Sequence, residues 1–502
     1  MHVRTSSART SSSTTTDSPP AGLRDAWLPL AGLSAVFLFE MLDNSVLTVA
    51  LPTIARDLAA STTALQWVSG AYSVAFGGLM LLFGAVADRV GRRRTMLVGL
   101  VLLAVASLAT VFVTSVEQLI VVRALMGIAA AMTTPGSMAL AFRLFTSQDL
   151  RVRALTVIST AGLVGLAVGP TIGGFVLAVA PWQVLLVANV PIALVAFVGI
   201  RAGIAVDRPD DLHRDPIDLV GAALGTASIV GVLVTPTLVV SGAAGWTGWA
   251  AGTATVLVAV GFVVRERTAR HPLLDLHLIA RPLVASGLAY KAAAGLAMAA
   301  LSYLVTLQLQ IAWGWPPALA AVGTLPQVVV LLASGRFVGP FVRRVGLDRA
   351  ARLSAAAVVV GLAVFALTAR LGYPGVLVAL VLVAAGMRVV GAVAGNNVLH
   401  GLPADRTSIG AALVDTASEI ATAVGIAATG TVLAALVPGS LGTTPWTPGR
   451  TAAFDGAVSI AGVVVTIVAA VLVLVGVLRA RTAPASPSTT TTTTTTQEES
   501  DV

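Results

Sequence analysis

Two pairs of acids stand inside runs that are otherwise apolar. Glu40 and Asp43 are three residues apart in Phe39-Glu40-Met41-Leu42-Asp43-Asn44-Ser45, and Asp415 and Glu419 are four apart in Val414-Asp415-Thr416-Ala417-Ser418-Glu419. On a helix both spacings put the two carboxyls on one face, so each pair can share a cavity. A lone carboxylate in hydrocarbon costs several kcal/mol unless it is protonated, paired or hydrated, and such acids are where membrane proteins exchange protons or hold cations. In the Asp415/Glu419 pair, like charges side by side resist ionising together. The plainer reading is that these acids cap or pair near the ends of their spans, with Asp415 reaching water and Glu419 lying deeper.

Four cations sit in comparable runs: Arg123, Lys291, Arg336 and Arg388. A buried cation needs a partner, and the four acids are the available ones. Arg123, followed by Gly127, is the best placed for an ion pair or proton relay. Lys291, the only lysine, could act on a nearby carboxylate or meet an anionic ligand group, and Arg388 is similar. Arg336 lies near a span end, where it can snorkel to water. Asn396, Asn397, Gln308, Gln310, Tyr290 and Tyr303 could line a cavity. Trp67, Trp313 and Trp315 suit an interfacial belt better.

The elements that must position these groups are membrane helices. The chain has 502 residues, 56% hydrophobic and 11% charged, where a soluble domain carries about 25% charged residues. Its mean hydropathy is +0.91. Fourteen runs of roughly 18–29 residues, from 26–51 to 455–478, are long enough to span a bilayer. The expected organisation is an N-terminal tail (1–25, disordered), a six-helix bundle (26–201), a linker with two extra spans (202–282), a second six-helix bundle (283–478) and a disordered tail (479–502). An even number of spans puts both termini on one side. With that side inside, 24 of the 31 Lys and Arg fall in inner connections and tails, three in outer loops and four within spans. This asymmetry predicts cytoplasmic termini. The net charge of +8 thus belongs to membrane edges rather than to a nucleic-acid surface.

The same features exclude other chemistries. There is no Cys, so thiol chemistry, disulfides and Cys-based metal sites are out. The five His (His2, His213, His271, His277, His400) lack ligand spacing. No Gly-x4-Gly-Lys-Ser/Thr loop or connection long enough for a nucleotide-binding domain is present, which speaks against an ATP-driven pump. The inner connection 202–217 carries Asp207, Asp210, Asp211 and Asp215.

Two further patterns mark the architecture. Gly84-Ala-Val-Ala-Asp88-Arg89-Val-Gly91-Arg92-Arg93-Arg94 joins two spans, and Gly339-Pro-Phe-Val-Arg343-Arg344-Val-Gly346 repeats it 255 residues later. Such an internal repeat predicts two equivalent halves. In the fifth span, Gly162, Gly165, Gly169, Gly173 and Gly174 form a flat stripe around Pro170. They predict a bent, closely packed helix at the junction of the halves.

These segments together resemble the major facilitator superfamily, and within it the fourteen-span drug:proton antiporters. Gly84 to Arg94 is similar to the family's Gly-x3-Asp-Arg-x-Gly-Arg-Arg loop, which implies a charge relay gating the cytoplasmic side through Asp88, Arg89 and Arg92 with Gly84 and Gly91. Arg123 with Gly127 resembles the fourth-span signature, with Met126 where Gln is common. Gly165, Gly169, Pro170, Gly173 and Gly174 resemble the fifth-span antiport signature. Leu42 to Pro52 is similar to the first-span signature, departing at Ser45 and Thr48. Arg343 stands in the second half where Asp88 stands in the first, so that gate cannot use the same acid. The resemblance implies an all-α polytopic fold of two six-helix bundles that rock around a central cavity, with the extra pair at the periphery. It implies proton-coupled export of small hydrophobic or cationic drugs or antibiotics across the bacterial plasma membrane by a monomer. Asp43, Glu40, Glu419, Asp415 and Arg123 would carry the proton coupling, and Lys291, Arg388, Asn396 and Tyr290 would line the cavity. No cofactor beyond the proton gradient, no metal and no enzymatic step are expected. The alternative is a proton-coupled importer of a small metabolite.

Overall fold

The computed structural model describes residues 22–145, 147–207, 212, 218–241, 246–270, 272, 274–402, 407–437 and 447–482. Residues 1–21 and 483–502 of the tails, with Asp210, Asp211 and Asp215, lie outside the described residues. Among the described residues all extended regular structure is helical, as a hydrocarbon setting demands of backbone that must satisfy its own hydrogen bonds.

The first half comprises α1 (Trp27–Asp57), α2 (Thr62–Val90), α3 (Arg92–Ala109), α4 (Val116–Leu144), α5 (Gln148–Leu177), the short α6 (Gln183–Val187) and α7 (Asn189–Gly203). The linker pair is α8 (Leu219–Ser241) and α9 (Thr247–Thr268), followed by the short α10 (Leu276–Ala280). The second half comprises α11 (Pro282–Leu307), α12 (Pro317–Ala333), α13 (Gly335–Val345), α14 (Leu347–Thr368), α15 (Tyr373–Gly401), α16 (Thr407–Leu436) and α17 (Pro448–Arg481). Among the described residues twelve helices are long and apolar enough to cross a membrane, and two bent pairs raise the number to as many as fourteen. α17 runs three residues beyond the span end at 478 expected from sequence. Helix starts follow local chemistry: Ser61, Ser115, Ser147 and Thr447 accept backbone N–H groups at the starts of α2, α4, α5 and α17.

The halves repeat one packing pattern. α1 packs on α5 and α7, and α11 packs on α16 and α17. α4 packs on α2 and α3, and α15 packs on α12 and α14. The second span of each half is bent, by 51° between Met80 and Leu82 in α2 and by 58° between α12 and α13. The latter break falls at Ser334-Gly335, a pair that tolerates a kink. Gly91 and Gly346 each end one helix and begin the next with positive φ, 112° and 81°. That backbone favours glycine, which is why both repeats end on it.

Across the halves the contacts are also exchanged: α2 lies on α16, and α5 lies on α12. The even count places the start of α1 and the end of α17 at one end of the bundle, called terminal here, and the opposite end is called distal. α9 is nearly bare, as a peripheral helix would be, with only 6% of its apolar stretch buried. α8 is also largely bare, with 17% of its apolar stretch buried, but its inner side is seated. It lies on the α2/α16 seam, with Leu233 buried among Val74, Ala423 and Ala427, and Thr226 donates to the Gly78 carbonyl at 2.8 Å. Small side chains along the seam let a third helix approach.

Candidate functional site: a buried charge cluster between the halves

Asp43 is the centre of a closed polar network in the first half. The Asp43 and Arg123 side chains are fully buried and form an ion pair between α1 and α4. Asn189, at the start of α7, donates from Nδ2 to Asp43 Oδ1 at 2.7 Å. Arg123 also donates from Nε to the Val68 carbonyl (3.3 Å), and its guanidinium lies 4.6 Å from the centre of the Tyr72 ring. Such a pair survives burial because each oxygen of the carboxylate has a donor and the cation has a second, π-type partner. Close approach is enforced by Gly127, where any Cβ would run into the Tyr72 carbonyl. One guanidinium nitrogen, Arg123 Nη2, has no partner.

Glu40 is held differently. It is 4% exposed and accepts a hydrogen bond from Thr134 Oγ1 at 2.9 Å, with no cation in direct contact. Glu419 of α16 is 7% exposed, and its Oε2 has no hydrogen-bond partner. Asp415 lies one turn towards the terminal end on the same helix. The structure brings Glu40, Asp415, Glu419 and Lys291 near enough for their charges to act on one another. Lys291 forms no direct salt bridge with any of them among the described residues. The four acids therefore divide into one tied carboxylate, Asp43, and three loosely held carboxyls around a lysine.

The remaining candidates are placed elsewhere. Tyr290 is buried in a separate cluster with Ala294, Ala351, Ala355 and Val390, its ring against Gly476, so it does not join the acids. Arg388 reaches the α12–α13 break, where its Nη2 would lie 3.0 Å from a Cβ on Gly335. Asn396 is half-buried on α15, and its neighbour Asn397 donates to Ser286 Oγ at 3.4 Å.

The glycine stripe seats α5 on two partners. Gly162, Gly165, Gly169 and Gly173 meet α1 at Phe37, Leu38, Ser45 and Val46, with Ser45 Oγ donating to the Gly165 carbonyl at 3.3 Å. Gly174 faces the other half, where a Cβ would meet Ala321 and the Pro317 carbonyl at 2.5 and 2.6 Å. α5 passes through Pro170 as one continuous helix, whereas the large bends lie in α2 and at the α12–α13 break. At the same distal end Gln310, in a π-turn that finishes α11, donates to the Val49 carbonyl of α1 at 3.0 Å. The two halves are thus fastened together distally.

At the terminal end, Arg92 Nε donates to Asp88 Oδ1 at 2.8 Å, Gly84 packs loosely near Pro135, and Arg89 is exposed. A residue that the motif does not contain completes this loop. Asp207, from the connection after α7, accepts from the Arg93 backbone N–H (3.1 Å) and from Arg143 Nη1 (2.6 Å). It caps α3 against the positive end of its dipole. Asn189 is the other residue missed by sequence reasoning. Its signal was an amide in the interior of an apolar run, a polar group that hydrocarbon penalises unless it has a partner.

Residues 33–219 match the model of the Major Facilitator Superfamily. Over 412 residues the chain is 29% identical to the multidrug efflux pump LfrA of Mycolicibacterium smegmatis, covering 82% of this chain and 81% of that one. It is 34% identical to the cephamycin export protein CmcT of Amycolatopsis lactamdurans, covering 60% and 63%. It is 31% identical to the methyl viologen resistance protein SmvA of Salmonella typhimurium, covering 64% and 65%. The last two matches span just under two thirds of those relatives. A bacterial homolog of the human lysosomal transporter Spinster, solved facing inward and unoccupied, superposes with a TM-score of 0.64 at 14% identity over 91% of this chain and 97% of that one, a likeness of fold. The repeated packing, the buried Asp43–Arg123 pair and these matches agree: the chain is a multi-pass membrane protein similar to transporters of the major facilitator superfamily.

Proposed function

We propose that this transporter expels small hydrophobic or cationic drugs from the cell in exchange for protons. The observation that carries the reading is the fully buried Asp43–Arg123 pair beside three loosely held carboxyls. A proton arriving on Asp43 removes one partner of a buried pair, which costs about 3–5 kcal/mol unless the surroundings rearrange. That cost is a physical reason for protonation to favour the other conformation. Glu40, Asp415 and Glu419 offer negative charge in the space between the bundles, suited to a proton or a cationic drug but not to both at once. Competition of that kind is exchange. Alternating access would come from rocking of the two bundles, with the distal contacts at Gly174 and Gln310 opening as the terminal end closes.

The names of the relatives, efflux and resistance proteins, favour export over import of a metabolite. The arginine distribution supports cytoplasmic termini in a bacterial plasma membrane, so the distal end faces outward. The driving force needs no cofactor. A charge crossing ~150 mV releases roughly 3.5 kcal/mol, enough for a gradient of a few hundred-fold. The transporter acts as a monomer, each chain holding a complete cluster. Dye and antibiotic accumulation in a sensitive host tests the reading, with and without a protonophore. Lowered accumulation that the protonophore restores is expected, and Asp43→Asn should lose it while remaining in the membrane. Accumulation unchanged across a broad panel, or full proton-coupled export by Asp43→Asn, would count against it.

A further inference from the structure

On the distal side of Glu419 the α2/α16 seam holds polar atoms that no protein group satisfies. Ser73 is 1% exposed and lies within reach of the Glu419 carboxyl, yet its Oγ makes no hydrogen bond of ordinary geometry, and neither does Glu419 Oε2. Buried polar atoms of this kind are usually satisfied by water. One turn further out, a cavity of about 10 Å³ has Gln66 as its hydrogen-bonding side chain, with Trp67, Gly70, Val74, Leu233, Ala423 and Ala427 forming the rest of its wall. That is close to the ~10–15 Å³ needed for a single water. Gly70 opens onto it: a Cβ there would meet nothing within 4 Å.

These groups form one stripe. Gln66, Gly70, Ser73 and Gly77 recur at i, i+4, i+7 and i+11 on α2, a single helix face. That face is turned to α16 at both ends, since Gln66 packs on Gly430 and a Cβ on Gly77 would lie 3.3 Å from the Glu419 Cβ. Gln66 is one turn from the distal start of α2. The groove is roofed by α8, which the mechanism proposed above does not use. Leu233 is 3% exposed over Val74, Ala423 and Ala427, and Thr226 anchors α8 to the Gly78 carbonyl. Without that roof the stripe would face hydrocarbon, which cannot sustain a chain of water.

We infer that water threads the α2/α16 seam from the distal end past Gln66 and Gly70 to Ser73, that it delivers protons to Glu419, and that α8 of the extra pair is the lid that keeps lipid out. A hydronium at the distal mouth passes its charge along the chain. Ser73 Oγ accepts a proton from the last water and donates its own to the carboxylate, so hydronium becomes water and carboxylate becomes carboxyl. The groups that set the proton's residence on Glu419 are Asp415 on its own helix, Lys291 on α11 and Glu40 on α1. This inference rests on the proton-coupled reading above.

The absence of cysteine from the chain makes the route directly readable. In right-side-out vesicles, Ag⁺ is the probe, a thiol-reactive cation small enough to follow water. Ag⁺ added outside should protect the thiol of Ser73→Cys from later alkylation of the denatured protein. The second substitution Gly70→Leu, which fills the cavity from an unobstructed position, should abolish that protection. Gly70→Leu alone should also slow proton uptake coupled to drug release while leaving drug binding unchanged. Ser61→Cys, at the exposed mouth, serves as the positive control. Protection at position 61 but not at 73, or protection at 73 that survives Gly70→Leu, overturns the inference. If protection follows the expected pattern but drug export proves independent of protons, the coupling reading fails and the water route stands.

Discussion

Asp207 occupies the space that a side chain on Gly91 would need: a Cβ there would lie 2.7 Å from Asp207 Oδ2. Gly91 is therefore required twice, by its φ of 112° and by the acid that caps α3 beside it. Gly346, its counterpart in the second half, has a φ of 81° but nothing within 4 Å of a Cβ. Both alanine variants should lose stability through backbone strain of about 1–3 kcal/mol, and Gly91→Ala should lose more. Adding Asp207→Ala should recover part of the Gly91→Ala loss and none of the Gly346→Ala loss. Thermal unfolding of the purified variants in one detergent reads this difference, and equal losses for the two glycines would show that Asp207 exerts no steric demand.

Asp43→Asn leaves Arg123 buried without its carboxylate, which should destabilise the protein by about 3–5 kcal/mol. Asp43→Asn/Arg123→Gln should be more stable than Asp43→Asn alone, because the stranded charge is gone. Neither should export drug in a proton-dependent manner. Arg123→Lys should also fail, since an ammonium cannot serve the carboxylate, the Val68 carbonyl and the Tyr72 face together. A double-mutant cycle on unfolding midpoints measures the coupling.

Asn189→Ala removes the 2.7 Å hydrogen bond to Asp43 Oδ1. Hydrogen bonds to charged groups contribute about 1.5–3 kcal/mol, so transport should fall even though Asn189 carries no charge. Drug efflux rates at constant expression provide the check, and wild-type rates in Asn189→Ala would remove Asn189 from the site.

Gly174 leaves no room for a side chain where α5 and α12 meet at the distal end, since a Cβ would lie 2.5 Å from the Ala321 Cβ and 2.6 Å from the Pro317 carbonyl. Gly174→Ala should therefore wedge this contact apart, lower drug efflux at constant expression and, in a chain with no other cysteine, raise the reactivity of an Ala321→Cys thiol toward an alkylating reagent. Undiminished efflux with an unreactive thiol would mean that the close distal contact is not needed.

Asp218, just before α8, is bonded by Arg265 Nε and Nη2 at 2.8 and 3.0 Å. Those bonds from Arg265 hold its carboxyl below the usual range against the opposing effect of burial. A depressed folded value means that the stabilisation is present above the ordinary carboxylate range near pH 3.8 and is lost as pH falls through the lower folded value. The α8–α9 pair should therefore loosen only in strong acid, whereas Asp218→Asn should loosen it already at neutral pH. Protease sensitivity at Arg265 and Arg267, beside the pair at the end of α9, across pH distinguishes the two.

Much of this protein was legible in its residues. Hydrocarbon forces helices of a minimum length, so long apolar runs revealed the spans, and the repeated Gly-x6-Gly loops with their arginines revealed two halves. The same penalty on buried charge singled out Glu40, Asp43, Arg123, Asp415 and Glu419, since few residues survive there without a purpose. Pairing was not legible. Which carboxylate meets Arg123, and that Asn189 completes the set, depends on the rotation of α1, α4 and α7 about their axes, and a nearly uniform apolar sequence leaves that rotation undetermined. Tyr290 and Arg388 illustrate the same limit, for their types fit a cavity but their helix phases turn them elsewhere. The place of α8 on the α2/α16 seam was equally hidden, because the small residues that admit it are common on every membrane helix and only the packed bundle shows which stripe is used.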